Sequence, residues 1–274
     1  MTTPLERTIW RGMEIAHPGD WELAVACGLG EPGRCTFVDR RYQRLEVVWR
    51  PLKHLPDMDL MLSKYRKKAA DSEDFLDVVG NLPEPWRAVL RRAGKGRMVN
   101  AGAFFRQERL LAEVTMIWPD RREAGLEREI LSATHPAAPA GATHRWQALG
   151  IRADVPAEFD LHRNDARPGR VAWTFRRSEK ARDVLLIERL AMPDQWLRGP
   201  LRDWLARELP DGFRAFRQEP KNCGPHRGEV LISHRKIGTL AALRGRRSVR
   251  MDLAWLCPQE NRLYHVSYTE PTRQ

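Results

Sequence analysis

Five cysteine and histidine residues in the second half of the chain carry the chemistry that a metal site needs. They are Cys223, His226, His234, Cys257 and His265. Thiolate sulfur and imidazole nitrogen are the ligands that zinc prefers, and two short loops can supply four of them. Cys223 and His226 form only one such pair, however, and no partner pair has the same spacing. The alternative is structural, with Cys257 as a small buried residue and His265 on one face of an edge strand, and we predict no metal.

Nucleophilic catalysis would require Cys223 or Cys257 beside one of these histidines. No family-specific pattern surrounds either cysteine. The glycine-containing stretch GLGEPG (residues 28–33) includes Pro32 and precedes no predicted helix, so it indicates a turn rather than a phosphate-binding loop. The sequence therefore predicts a protein without enzymatic activity and without a cofactor.

The basic residues are the remaining candidates for binding. The formal net charge of +11 favours anionic partners such as nucleic acid, phosphate or an acidic protein surface. Two clusters beside glycines form the predicted anion-binding set: Arg244, Arg246, Arg247 and Arg250 in one, and Arg91, Arg92 and Lys95 in the other. Nucleic-acid binders usually place exposed aromatic residues among such charges, and only Tyr65, in a third basic cluster, does so here. The alternative is a solvated basic surface.

An internal repeat indicates which elements position these residues. Pro18 and Pro156 each follow a short strand-like run, and the same distance along the chain separates Val47 from Leu185. Near the ends of the two repeats, the separation of Pro119 from Pro258 along the chain is one residue longer than that of Pro18 from Pro156. A nearly constant offset predicts a duplicated domain.

Each predicted repeat consists of short strands around a helical segment. The alternation in MEIAH and LEVVW is typical of half-buried strands. Helices are predicted over residues 56–69, 71–80, 84–94 and 193–210, and Pro200 inside the last predicts a kink or two short helices. Five tryptophans at strand positions are expected in the core: Trp21, Trp49, Trp118, Trp173 and Trp255.

We accordingly predict an α+β protein of two similar domains in tandem, each an antiparallel sheet packed by helices. The first repeat spans residues 1–135 and the second spans 145–274, with a linker at 136–144 that is rich in small residues and proline.

No signal-peptide pattern and no apolar run of transmembrane length is present. With four cysteines and no CxxC spacing, we expect a cytoplasmic protein with reduced thiols that does not bind membranes.

The ends of the repeats resemble a known family. Pro18 with Trp21, Pro156 with Phe159, and the Ala254–Cys257 segment with the Arg262–Tyr264 segment are similar to the Mog1/PsbP-like fold, as two copies over most of the chain. That resemblance implies an antiparallel sheet between helices. It also implies an accessory or binding role without a catalytic site, as in a helper of a nuclear small GTPase and a lumenal photosystem II subunit. The motifs are short, and no functional residue of the family matches this sequence.

The functional prediction is a non-catalytic accessory or scaffold protein that binds another macromolecule, expected to be a protein, through its duplicated domains. The alternative is a nucleic-acid-binding protein that uses the arginine and lysine clusters. The sequence decides neither the identity of the partner nor the oligomeric state.

Overall fold

A computed structural model describes residues 4–27, 33–71, 74–138, 141–178, 183–235 and 246–273. The chain divides into two compact units. The first comprises Met1–Ala148 with Arg152–Pro156, and the second comprises Leu149–Ile151 with Ala157–Gln274.

The first unit contains two sheets and two helices. In chain order its elements are β1 (Leu5–Trp10), β2 (Met13–Pro18), β3 (Glu22–Ala26), β4 (Gly33–Val38), β5 (Gln43–Pro51), α1 (Met58–Asp71), β6 (Phe75–Val79), β7 (Arg87–Ala93), β8 (Gly96–Phe105), β9 (Leu110–Trp118), α2 (Ala124–Ser132), β10 (His135–Pro136), β11 (Thr143–Ala148) and β12 (Ile151–Pro156). The small sheet has the order β10-β2-β1-β11-β12, and the first large sheet has the order β3-β4-β5-β9-β8-β7-β6.

Two-residue turns build the small sheet. Arg11 and Gly12 join β1 to β2 with φ angles of 46° and 75°, and Leu149 and Gly150 join β11 to β12 with φ angles of 51° and 72°. Positive φ at both central residues is the signature of the type I′ turn, whose twist matches that of the flanking strands. The hairpins meet where Ile9 pairs with Gln147.

The core of the first unit lies between its two sheets. The rings of His17 on β2 and Phe37 on β4 are 4.4 Å apart, and the indole of Trp49 donates a hydrogen bond of 3.3 Å to the Arg11 carbonyl. Trp10 and Met13 are fully buried there. Helix α1 covers the opposite face of the first large sheet, so this sheet is covered on both faces.

The second unit contains one sheet and two short helices. Its elements are β13 (Asp160–Arg167), β14 (Arg170–Arg176), β15 (Val184–Ala191), α3 (Pro193–Trp196), α4 (Leu201–Arg207), β16 (Phe213–Cys223), β17 (His226–Arg235), β18 (Arg246–Cys257) and β19 (Arg262–Arg273). The second large sheet has the order β13-β14-β15-β19-β18-β17-β16. Trp204 and Leu205 of α4 pack on one face of it, against Leu231, Ala254 and Leu263.

The predicted α+β class is wrong. Strands account for 58% of the residues and helices for 14%. The described part of the protein therefore has a β-rich fold of three antiparallel sheets with four short helices. The helix predicted over residues 71–80 is wrong, because β6 lies there and pairs with β7. The helix predicted over residues 84–94 is instead strand β7, which forms a hairpin with β8. Its acidic start and basic end suit a helix dipole, but hydrogen bonding to β8 outweighs that weak preference.

Other predicted elements are found. Helix α1 lies within one or two residues of its predicted range, and the predicted break at Pro200 separates α3 from α4. Trp21, Trp49, Trp118 and Trp173 are buried as expected. Trp255 is only half-buried, so its assignment to the core is wrong.

The two large sheets share one strand order. In that order β9 corresponds to β19, whereas Pro119 follows β9 and Pro258 follows β18. These two prolines are therefore not equivalent, and the match drawn between the ends of the repeats is wrong. The boundaries 1–135, 136–144 and 145–274 stay a prediction; in the structure, β11 and most of β12 group with the first unit.

Candidate protein-binding face

The basic cluster near residue 250 is only partly described. Arg244 lies outside the described residues, and the structure gives only the backbone of Arg246 and Arg247, at the start of β18. Arg250 is largely buried, and its guanidinium donates hydrogen bonds of 2.8 and 2.7 Å to the Asp252 carboxylate. Because this bidentate pair already occupies it, Arg250 would have to leave Asp252 to grip a phosphate.

The other basic cluster lies on the β7–β8 hairpin. Arg91 pairs with Asp74 at 3.2 Å, while Arg92 and Lys95 are exposed. Anion binding by these residues stays a prediction.

The five candidate metal ligands do not come together. Cys223 and His226 pair across the β16–β17 turn, and His234 lies at the other end of β17, where its ring contacts Phe216. The Cys257 thiol donates to Gln259 at 3.5 Å. Within the described ranges, no group of three or more His, Cys, Asp or Glu side chains is arranged to hold a metal ion.

His265 has a different role from the one predicted. Strand β19 runs between β15 and β18, so His265 is on a central strand and not at an edge. It is buried, its Nε2 lies 2.9 Å from Asp252 Oδ1, and its Nδ1 lies 3.5 Å from Glu188 Oε2. The Trp204 ring covers it edge to face at 5.4 Å.

Two arginines extend this arrangement into a buried charge network. Arg250 holds Asp252, and Arg170 lies 3.3 Å from Glu188, so positive and negative groups alternate along the line. Burial alone would lower the pKa of His265, but hydrogen bonds to Asp252 and Glu188 outweigh it and raise that pKa. Burial acts oppositely on both carboxylates, yet the pKa values of Asp252 and Glu188 are lowered by His265 and their arginines. With a carboxylate at each ring nitrogen, His265 has no nitrogen free to act as a base toward a cysteine.

The network predicts a pH dependence of stability. The carboxylates contribute above their ordinary pKa values of 3.8 and 4.5, and this contribution is lost as the pH falls through the lowered folded values. His265 contributes fully below 6.5, and its contribution is lost as the pH rises through its raised folded value. The difference in free energy of unfolding between wild type and His265→Gln should therefore be largest between about pH 4.5 and 6.5. Urea denaturation across the pH range measures it, and a difference that does not vary with pH would contradict the network.

The face of the second large sheet opposite α4 carries apolar side chains that are partly exposed. We call it the open face, and its residues are Phe216, Ile232, Met251, Leu253, Trp255, Tyr264 and Val266. Directly paired residues share a face, and the register pairs Ile232 with Met251, Leu253 with Val266, and Trp255 with Tyr264. Phe216 joins them through its contact with His234, the neighbour of Met251 along this face. Phe216 is 72% exposed and Met251 is 48% exposed.

An aromatic pair lies on the open face near the turn that joins β18 to β19. The rings of Trp255 and Tyr264 stack with centroids 5.4 Å apart and planes inclined by 14°. The Tyr264 hydroxyl donates a 2.5 Å hydrogen bond to Glu260, and burial together with this bond raises the pKa of Tyr264 to about 12. Tyr264 therefore stays a neutral phenol, and the pair is a fixed, amphipathic anchor.

In the first large sheet, the corresponding face, opposite α1, is buried. Val99 on β8 pairs with Met116 on β9, and both are fully buried, as is Trp118. Trp118 packs against the Trp21 ring and lies beneath the Arg44 guanidinium. By comparison, β18 and β19 of the second unit present Met251, Trp255 and Tyr264 to solvent.

Basic side chains border the open face. Arg189 lies across from Tyr264 on β15, and Arg217 and Lys221 lie along the edge strand β16. Arg217 is paired with Glu219 at 2.6 Å. The border is cationic at Arg189 and Lys221, which suits a partner with acidic groups around an apolar centre.

The edge of the second large sheet is less suited to strand addition. Strand β16 has a register shift between Ala215 and Arg217, and it contains Pro220. Bulges, proline and charged side chains are the usual means of preventing edge-to-edge pairing. A partner is thus expected to pack on the open face rather than extend the sheet.

Comparisons with known proteins add little. No family model and no curated protein matches the sequence. Among solved structures, the chain is similar to the apo immunity protein TplEi of the T6SS from Pseudomonas aeruginosa, with 10% identity and a TM-score of 0.41 over 100% of this chain and 89% of that one. So loose a superposition decides neither fold nor function. None of the helices in the described ranges has the length and apolar character needed to cross a membrane.

Proposed function

We propose that this is a non-catalytic binding protein that docks an acidic partner protein on the open face. The observation that carries the proposal is that the stacked Trp255–Tyr264 pair shares this face with exposed Met251 and Phe216. Aromatic residues, methionine and arginine are enriched in the cores of protein interfaces, and charged residues are depleted there. Single exposed apolar residues are ordinary, but a contiguous patch marks an interaction site.

The chemistry of the face favours a protein over nucleic acid. Trp255 and Tyr264 stack on each other, and their neighbours Ile232, Leu253 and Val266 are aliphatic. Platforms for single-stranded nucleic acid instead combine aromatic faces with a continuous basic groove. The border residues Arg189 and Lys221, together with the net charge of +11, support an acidic protein surface.

The absence of catalysis is part of the same proposal. Both ring nitrogens of His265 face carboxylates, and Trp204 covers the ring. We therefore assign a structural role to the buried network around His265. The resemblance to the Mog1/PsbP-like fold, with the accessory role that it implies, stays a prediction. Duplication also stays a prediction, and the shared strand order of the large sheets supports it.

Charged substitutions on the open face test the proposal. Met251→Glu and Phe216→Glu should each weaken binding of the partner at least about tenfold, because a carboxylate would be desolvated in an apolar interface and would face acidic groups. Leu55→Glu is the matched control, since Leu55 is 62% exposed but belongs to the first unit. The partner is purified from the native lysate on immobilised wild type, and its affinity for each variant is measured by calorimetry.

Three outcomes would overturn the proposal. The open-face variants could bind the captured protein as well as wild type and Leu55→Glu do. The wild type could bind RNA tightly with a steep salt dependence, which would favour the basic clusters. The wild type could also form a dimer that Met251→Glu dissociates, which would make a second copy the occupant. The proposal is supported if the captured protein is acidic, forms a one-to-one complex with wild type, and binds weakly only to the open-face variants.

A further inference from the structure

The first unit has a cleft that the proposed docking function does not use. It lies between α1 and the face of the first large sheet that points away from the small sheet, and its volume is about 280 Å³. One wall is the face of α1 formed by Met58, Met61, Leu62 and Tyr65, at the three- and four-residue spacing of one helix face. The floor comes from the sheet, and Gly102 leaves it without a side chain beneath Met58.

The floor of the cleft contains a carboxylate that has no counterion within the described ranges of the chain. Glu113 is on β9, a central strand, and it is exposed into the cleft. No ion pair of Glu113 occurs among the described residues. The two other charged residues of the lining are already paired: Glu46 with Arg34, and Arg87 with Glu84 at 3.2 Å. A single negative charge is therefore left at the bottom of a largely apolar opening.

The polar groups beside Glu113 are fixed in place. Asn100 donates a hydrogen bond of 2.9 Å to the Thr115 hydroxyl, and both residues line the cleft. Val48, Val89 and Leu111 complete the apolar lining. Pockets of this kind, apolar with a few placed polar groups, are typical of small-molecule sites.

The corresponding layer of the second unit is closed. There α4 places Trp204 over the sheet, and the carboxylates Asp252 and Glu188 are neutralised by His265 and arginines. The two large sheets share a strand order, yet one helix–sheet layer is filled and charge-balanced while the other is open with an unmatched charge. The difference indicates that the opening in the first unit is not a requirement of the fold.

We propose that the cleft between α1 and the first large sheet binds a small amphipathic amine, with its ammonium group on Glu113 and its apolar body between Met58, Met61 and Leu62. A carboxylate supplies a charge-assisted hydrogen bond to an ammonium. Methionine side chains adapt to varied apolar shapes and contact aromatic rings favourably. Tyr65, which lines the cleft and is 40% exposed, adds an aromatic ring of the kind that attracts cations. This inference is independent of the proposed docking function.

The test compares three probes of one shape and different charge. Phenethylamine, 2-phenylethanol and phenylacetate are titrated into protein with ¹³C-labelled methionine methyl groups. The methyl signals of Met58 and Met61 should shift with the amine, while Met192, which is exposed elsewhere, serves as an internal control. We expect the amine to bind about tenfold more tightly than the alcohol, the factor that corresponds to ~1.4 kcal/mol, and phenylacetate to bind more weakly still.

Two substitutions complete the design. Glu113→Gln should reduce amine binding about tenfold and leave alcohol binding unchanged, since only the ammonium group uses the carboxylate charge. Glu129→Gln, at an exposed position on α2, is the control and should change neither. Four results would each overturn the proposal. They are equal affinity for the three probes, shifts that spare Met58 and Met61, no binding of any probe, and an amine affinity that Glu113→Gln leaves unchanged.

Discussion

Replacing Asp252 by alanine is expected to lower the free energy of unfolding by about 3–5 kcal/mol, as breaking one partner out of a buried ion pair does. Asp252 accepts the guanidinium of Arg250 and the imidazole of His265, and all three side chains are largely buried. Without the carboxylate, Arg250 stays in the interior without its partner, and His265 keeps only Glu188. Guanidinium denaturation monitored by circular dichroism measures the change.

Asp165→Ala is the matched control for that experiment. Asp165 also pairs with arginines, Arg167 at 2.7 Å and Arg163 at 3.6 Å, but those arginine side chains are exposed. Solvent screens such pairs, so their loss should change stability little. Equal effects of Asp252→Ala and Asp165→Ala would contradict a buried network.

Replacing Trp173 by alanine is expected to cost about 3–5 kcal/mol, the range for truncating a buried aromatic residue. Trp173 is fully buried on β14, a strand bonded to neighbours on both sides. Trp255→Ala should cost clearly less, because this ring is only partly buried and its stacking on Tyr264 contributes only ~0.5–1.5 kcal/mol beyond area burial. Thermal and denaturant unfolding of the two variants give the comparison.

The comparison also bears on the docking surface. If Trp255→Ala destabilised the protein as much as Trp173→Ala, Trp255 would be a core residue and the open face would not be open. If it cost less than half as much, the ring would be available to a partner.

Local signals in the sequence predict local features of the fold. The proline at position 200 predicts the break between α3 and α4, and the apolar spacing of residues 56–69 predicts α1. Strand β7 is missed because its hydrogen-bonding partner β8 decides its conformation, whereas the helix-like distribution of charge in residues 84–94 is a property of the segment alone.

The candidate site is harder to predict for the same reason. Trp118 and Trp255 both stand at apolar positions of alternating strands, but only Trp118 is fully buried. Alternation identifies a face and not whether another layer covers it. The buried network has a weak signal, since Glu188 and Asp252 interrupt apolar runs, but their distance along the chain from His265 conceals that they meet.

The measurement that tests the docking claim most directly is hydroxyl-radical footprinting of the complex with the purified partner. Phe216 and Met251 are exposed in the free protein, as are Tyr42 and Met192 elsewhere. Complex formation should reduce oxidation of Phe216, Met251 and Trp255 several-fold and leave Tyr42 and Met192 as reactive as before. Unchanged oxidation of Phe216 and Met251 in a saturated complex would show that the partner binds elsewhere and would contradict the proposed function.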